Sequence, residues 1–94
     1  MLADEIKFYE GEKREITAVI HSKNPKDTIV IVEAEYELKK QFGDEILQSG
    51  NCEIKGAEAT VFLDFELPKG NYTLKIKSSV GREVIISKVP VEIV

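Results

Sequence analysis

The sequence contains one cysteine, one histidine, no tryptophan and three prolines among its 94 residues. A single cysteine excludes an intramolecular disulfide and a cysteine-only metal site, and a single histidine leaves little for a histidine-based centre. Short secreted domains usually carry several disulfides, so we expect a reducing compartment or assembly inside a cell.

We expect no signal peptide, because residues 1–5 lack its basic and apolar regions. We also expect no membrane partner, because no apolar run approaches about 20 residues.

Positive charge is also scarce. The chain has 13 Lys and Arg residues against 17 Asp and Glu residues, a formal net charge of −4. Proteins that bind nucleic acids depend on clustered cations, and the largest basic groups here are small and lie among acids. We therefore expect no nucleic-acid partner. The length and a hydrophobic fraction of 43% predict a single domain over residues 1–94.

The sequence does contain two neighbouring runs with a period of two. Over residues 58–67 the odd positions are apolar, and the even positions are polar except for Phe62. A Pro-Lys-Gly-Asn turn follows, and a second alternating run covers residues 72–77. Such alternation is typical of half-buried β-strands, so we interpret the two runs as the centre of a two-sheet sandwich. The position of Tyr72 near the strand start predicts a tyrosine corner, which fixes the preceding connection.

Further segments with strand character complete the pattern. A helix over Glu33–Gln41 is the competing interpretation because its residue types favour helices, but its apolar residues are spaced by two. Pro90 lacks an N–H and should lie at a bulge, a strand start or a sheet edge. Loops or turns are predicted at residues 10–12, 24–27, 42–44, 49–51 and 78–82. The additional predicted strands cover residues 6–9, 15–21, 28–39, 45–48 and 52–55, and residues 83–94 supply one last strand or a broken pair.

Eight short strands with frequent turns predict an all-β fold. We expect an immunoglobulin-like antiparallel β-sandwich of seven to eight strands with Greek-key connections. The predicted core consists of Ile6, Phe8, Ile16, Ala18, Ile20, Val32, Ala34, Tyr36, Leu38, Ile54, Val61, Leu63, Phe65, Tyr72, Leu74 and Ile76.

Residues with reactive side chains form no recognisable catalytic, phosphate-binding or metal-binding motif. No nucleophile-elbow sequence surrounds a serine that could use His21, and Cys52 is predicted to be a small buried hydrophobe. The carboxylates of the 28–39 strand could serve as acid and base or hold calcium, but their regular spacing favours a solvated strand face. We therefore expect no catalytic residue, no metal, no cofactor and no small-molecule substrate.

Several large apolar residues fall on strand faces that the alternation assigns to solvent. Phe62 lies among polar residues, and the Val-Ile-Ile run at 84–86 leaves at least one aliphatic side chain outside whichever face is buried. A cross-strand pair or a covering loop could explain them. We hypothesise instead that another protein subunit covers this surface, because aromatic residues are enriched in interface cores. The candidate contact residues are Phe62, Val84, Ile86, Ile29 and Ile31.

The order of these elements resembles one protein family. Ile6–Thr17 resembles the opening strand–turn–strand of small immunoglobulin-like domains in tailed-phage tail and baseplate proteins. The N-terminal domain of the baseplate upper protein is the closest type. Val32–Leu38 is similar to the long strand of these domains, and Pro68–Leu74 to their "P-G-x-Y-x-hydrophobic" element. Gly81–Val94 is similar to the closing strand. The 24–27 loop departs from the family pattern because it lacks a glycine.

The resemblance implies a non-catalytic structural or assembly module of phage or prophage origin. Its partners would be virion or tail proteins, or further copies of itself. Its location would be the bacterial cytoplasm before assembly and the virion tail afterwards. The alternative is a carbohydrate- or cell-surface-binding sandwich, but such modules usually present exposed aromatic platforms. The chain lacks tryptophan, and Tyr36 and Tyr72 are predicted to point inward.

Overall fold

The computed structural model describes residues 6–20, 29–64 and 67–94. Within these ranges the chain forms strands, turns and irregular connections, and no helix. The prediction of an all-β fold is confirmed, and residues 33–40 form a strand as expected. The predicted 24–27 loop, His21 and Phe65 lie outside the described residues. The strands are β1 (Ile6–Phe8), β2 (Lys13–Val19), β3 (Glu33–Lys40), β4 (Ile46–Asn51), β5 (Glu53–Lys55), β6 (Glu58–Asp64), β7 (Gly70–Val80) and β8 (Glu83–Ile93).

The eight strands form two sheets that pack face to face. The larger sheet has the order β1-β8-β7-β3-β4, and the smaller sheet has the order β2-β6-β5. The chain therefore crosses between the sheets after β1, β2, β4 and β6. One pairing differs from the antiparallel expectation: β1 runs parallel to β8, with Ile6 beside Val91. The other strand pairs are antiparallel.

The core lies between the sheets and follows the alternation of the strands. Leu63 on β6 and Ile76 on β7 are completely buried, as the period of two predicts. Ile6, Ala18 and Ile54 are half-buried against the core. The remaining predicted core residues that are buried are Phe8, Ile16, Ile20, Ala34, Tyr36, Leu38, Val61, Tyr72 and Leu74, and the core also contains Ile31, Cys52, Ala59, Val91 and Ile93.

The prediction that Val32 lies in the core and Ile31 outside it is wrong. Ile31 is buried, whereas Val32 is 67% exposed. The chain bends at Val32. The Ile31 N–H donates to the carbonyl of Gly56, in the turn between β5 and β6, at 3.0 Å, and the Val32 N–H donates to the carbonyl of Ser79 on β7 at 2.9 Å. Because of the bend, two consecutive side chains, those of Val32 and Glu33, point away from the core. Inward positions therefore change from odd at Ile31 to even from Ala34 onward.

The predicted turn at residues 49–51 is also wrong, because β4 continues through Asn51. Gly50 lies opposite Tyr36 in the ladder. A Cβ atom on Gly50 would lie 3.2 Å from Cε1 of the Tyr36 ring, which is closer than ordinary van der Waals contact. Tyr36 is held there by Gln48, whose Nε2 donates to the phenolic oxygen at 3.0 Å. The glycine makes room for a buried ring and does not turn the chain.

Tyr72 fixes the connection between the two sheets after β6. Its hydroxyl donates to the backbone carbonyl of Pro68 at 2.5 Å, and its side chain is buried. Burial raises the pKa of the Tyr72 hydroxyl, and the negative charge of Glu10 adds to the effect. The hydroxyl therefore remains a proton donor to Pro68 over the neutral range. The predicted contact of Tyr72 with the preceding connection is confirmed.

Candidate interaction surface

Among the residues that the structure describes, strand β8 has a neighbour on both sides over only part of its length. β7 pairs with β8 along all eleven residues, whereas β1 pairs only with Val91–Ile93. In the described part of the chain, no strand pairs with residues 83–90 on the side away from β7. We call this side of residues 83–90 the β8 edge. Pro90 lies on it, and a sheet edge is one of the three positions predicted for this proline, beside a bulge and a strand start.

The β7–β8 hairpin determines which backbone groups of the β8 edge point outward. Val80 and Glu83 close a two-residue turn, with Gly81 at the first central position and φ of +57°. This is the glycine position of a type II′ turn. The two residues that close such a hairpin form a hydrogen-bonded pair. Along the ladder, hydrogen-bonded pairs then alternate with non-hydrogen-bonded pairs. The N–H and C=O groups of residues 84, 86 and 88 therefore point away from β7.

Two other observations agree with this alternation. Residue 90 is also even-numbered, so an N–H at this position would point outward, but it is a proline and has no N–H. Residue 94 continues the series, and the Val94 N–H donates to the Phe8 carbonyl on the β1 side at 2.7 Å. Among residues 6–20, 29–64 and 67–94, no strand pairs with the outward N–H and C=O groups that the β8 edge presents at three alternate residues between the hairpin turn and Pro90.

Exposed aliphatic side chains flank these backbone groups. Val84 is 54% exposed and Ile86 is 51% exposed, both on the outer face of the larger sheet. Their ladder partners on β7 are polar, Ser79 for Val84 and Lys77 for Ile86. Val84 and the exposed Val32 line one groove of about 500 Å³. The bend that exposes Val32 therefore adds a third aliphatic residue to this surface, on the other side of β7 from β8.

The charged residues of the same sheet face form ion pairs within the ladder. Lys77 Nζ lies 3.9 Å from Glu35 Oε1, and Lys39 Nζ lies 3.6 Å from Glu37 Oε2. Exposed pairs of this kind contribute little to stability. They agree with the interpretation of a solvated strand face. Among residues 6–20, 29–64 and 67–94, no three His, Cys, Asp or Glu side chains are placed to hold a metal ion.

Cys52 also lines the groove, but its side chain is buried. Burial raises the pKa of the Cys52 thiol because it disfavours the thiolate, and the negative charge of Glu35 raises it further. The thiolate is the reactive and metal-binding form of cysteine. Cys52 is therefore a poor nucleophile at neutral pH, and its predicted burial is confirmed.

The structure separates the predicted contact residues into three groups. Val84 and Ile86 lie together on the β8 edge, whereas Phe62, 56% exposed, lies on the outer face of the other sheet. Phe62 pairs with Glu15, so its direct cross-strand neighbour in the described ladder is charged. Ile29 is half-buried against the core. The hypothesis that Ile31 contacts a partner is wrong, because the bend at Val32 buries its side chain.

The sequence did not single out the most exposed apolar residue of the described chain. Phe42 is 99% exposed and has a φ of +64° in a turn closed by a 2.9 Å bond from the Gly43 N–H to the Lys40 carbonyl. This conformation costs a non-glycine residue roughly 1–2 kcal/mol. The only feature of the sequence that indicated an exposed Phe42 was the predicted turn. In that turn, the adjacent Gly43 was the residue expected to adopt a positive φ, because glycine has no Cβ.

Comparison with protein-family models gives no match, and comparison with curated proteins gives no significant match. No helix among the described residues is long and apolar enough to cross a membrane.

Proposed function

We propose that the protein is a non-catalytic structural or assembly module that acts through protein–protein contacts at the β8 edge. The observation that carries this proposal is a strand edge with which no described residue pairs, beside the exposed Val84 and Ile86. Natural proteins usually protect such edges with charged residues, prolines or bulges. Lys88 and Pro90 protect one end, but the Val-Ile-Ile-Ser segment at 84–87 carries no charge. An edge of this composition favours pairing with another chain.

The strand order supports an immunoglobulin-like assignment for the domain. The orders β4-β3-β7-β8 and β2-β6-β5 match the C′-C-F-G and B-E-D sheets of immunoglobulin-like sandwiches. The bond from Tyr72 to Pro68 lies at the start of the strand equivalent to F, where a tyrosine corner belongs. The parallel pairing of β1 with β8 departs from the constant-type arrangement.

We base the proposed origin on the sequence resemblance to tailed-phage tail and baseplate domains. On that basis the chain is phage- or prophage-encoded, and its partners are tail or virion proteins or further copies of itself. It is present in the bacterial cytoplasm before assembly and in the virion tail afterwards. The type of contact proposed at the β8 edge is compatible with such a role, since it needs no cofactor and no substrate.

Carbohydrate binding is less well supported by the positions of the aromatic residues. Tyr36 and Tyr72 are buried. The exposed Tyr9 and Phe42 lie in two different turns, and Phe62 lies on the smaller sheet. These residues do not form one platform on which a sugar ring could stack.

Site-specific photo-crosslinking tests the proposal. A benzophenone amino acid replaces Ile86 in one variant and Phe62, on the opposite face, in the control, and both are produced in the cells that naturally make the protein. We expect ultraviolet-dependent protein adducts from position 86 at several times the yield from position 62, with the partner identified by mass spectrometry. No adduct from position 86, or equal yields from both positions, would contradict a role for the β8 edge.

A further inference from the structure

We propose that the partner of the β8 edge is the β8 edge of a second copy of this chain. The inference rests on the proposed function and specifies its partner. Two copies related by a two-fold axis pair their β8 strands in antiparallel fashion. The two five-stranded sheets then become one continuous sheet, and the uncharged 84–87 segments lie at the junction.

The directions of the backbone groups limit the possible registers. Only residues 84, 86 and 88 of the β8 edge have N–H and C=O groups that point outward, so each must oppose an even-numbered residue of the second copy. A two-fold axis at Ile85, Ile86 or Ser87 satisfies this condition. Axes farther along β8 leave most of the outward groups unpaired.

Two of the three axes meet an obstacle in the structure. An axis at Ser87 places Glu83 of the second copy opposite Val91, where Ile6 of β1 already pairs. An axis at Ile85 places Arg82 of one copy opposite Lys88 of the other, and like charges directly opposite each other destabilise a strand pair.

The axis at Ile86 fits both ends of the β8 edge. Residues 83–89 of one copy then oppose residues 89–83 of the other, so the pairing begins after the hairpin turn and ends before Pro90. Ile86 opposes its own copy, and Val84 opposes Lys88, whose methylene groups can cover the valine. No two like charges face each other. The antiparallel pattern gives about six interchain backbone hydrogen bonds in this register.

Sedimentation analysis of the full chain over a wide concentration range tests self-pairing. We expect a reversible monomer–dimer equilibrium. Ile86→Lys places charges beside each other at the axis and should raise the dissociation constant at least tenfold. Phe62→Lys adds the same charge to the other sheet and should leave the constant within about twofold. A monomer at all concentrations, or equal effects of the two substitutions, would overturn the proposal.

Disulfide formation tests the register independently of affinity. In the proposed pair, the Cα atoms of residue 86 in the two copies lie about 5.5 Å apart, within the range of a disulfide. The Cα atoms of residue 84 lie about 14 Å apart. Ile86→Cys should therefore form a covalent dimer under mild oxidation, whereas Val84→Cys alone should not. Val84→Cys mixed with Lys88→Cys should form the heterodimer.

The parent chain is the control for this experiment, because its buried Cys52 thiol should remain unreacted. Covalent dimers of Val84→Cys at a rate equal to that of Ile86→Cys would overturn the register.

A monomer in sedimentation that still crosslinks to another protein through position 86 would refute self-pairing and leave the proposed function intact. If the experiments show neither a dimer nor a crosslinked adduct, both self-pairing and the proposed function are refuted.

Discussion

The substitutions Leu63→Ala and Phe62→Ala test the two-sheet packing, because these neighbours lie on opposite faces of β6. Leu63 is completely buried, and more than half of the Phe62 surface is exposed. Truncating a buried leucine removes its transfer free energy and leaves a cavity, so we expect a loss of about 2–5 kcal/mol. For Phe62→Ala we expect about 1 kcal/mol, from the smaller buried area and the lower strand propensity of alanine.

Urea denaturation followed by far-ultraviolet circular dichroism measures both losses. A domain of 94 residues has a total stability of roughly 5–14 kcal/mol, so the Leu63 loss is a large fraction of it. With a slope near 1.5 kcal/mol per molar urea, a loss of about 3 kcal/mol lowers the midpoint by about 2 M. The slope itself should stay unchanged.

The opposite ranking of the two variants would refute the register of β6. A shift of one residue exchanges the two faces of a strand, so Phe62→Ala would then cost more than Leu63→Ala. A loss of stability below about 1 kcal/mol for Leu63→Ala would also refute the register of β6.

Three further substitutions and one pH dependence test other parts of the structure. Tyr72→Phe removes one buried hydrogen bond and should cost about 0.5–1.5 kcal/mol; an unchanged urea midpoint would contradict the corner. Ser78→Ala removes a buried hydroxyl without a partner and should stabilise by up to about 1 kcal/mol; a lower melting temperature would contradict this. Gly50→Ala forces a Cβ against the Tyr36 ring and should cost about 1–3 kcal/mol, again read from the urea midpoint. The raised pKa values of Cys52 and Tyr72 mean that both stabilise the fold while protonated. Stability should therefore be full below the ordinary values of 9.0 and 10.0 and fall as pH rises above them, with a shallower fall in Cys52→Ala.

The sequence predicted the faces of β6 and β7 because the period of two is a local property. Leu63 and Ile76 each lie in a run whose neighbours repeat the same alternation. In such a run every residue supports the same register, and the structure buries both side chains.

The errors in the prediction occur where contacts distant in sequence decide the structure. The bend at Val32 depends on hydrogen bonds to Gly56, in the turn between β5 and β6 of the smaller sheet, and to Ser79 on β7 of the larger sheet. Position 50 of β4 holds a glycine because the Tyr36 ring occupies the space that a Cβ atom would need. Neither relation is visible within a local window, where glycine beside serine and asparagine is typical of a turn.

The candidate surface was only partly predictable for the same reason. The surplus of apolar residues at Val84 and Ile86 is visible in the sequence. The edge beside them, open among the described residues, depends on where β1 meets β8, and the parallel pairing of Ile6 with Val91 sets that register.

Residue-resolved amide hydrogen exchange tests the open β8 edge most directly. In dilute monomeric protein, we expect slow exchange at Ile85, Ser87 and Val89, whose N–H groups point to β7, and fast exchange at Val84, Ile86 and Lys88. Raising the protein concentration should slow the second set. Slow exchange at Val84, Ile86 and Lys88 in the dilute monomer would mean that the chain covers its own edge, and would contradict the account.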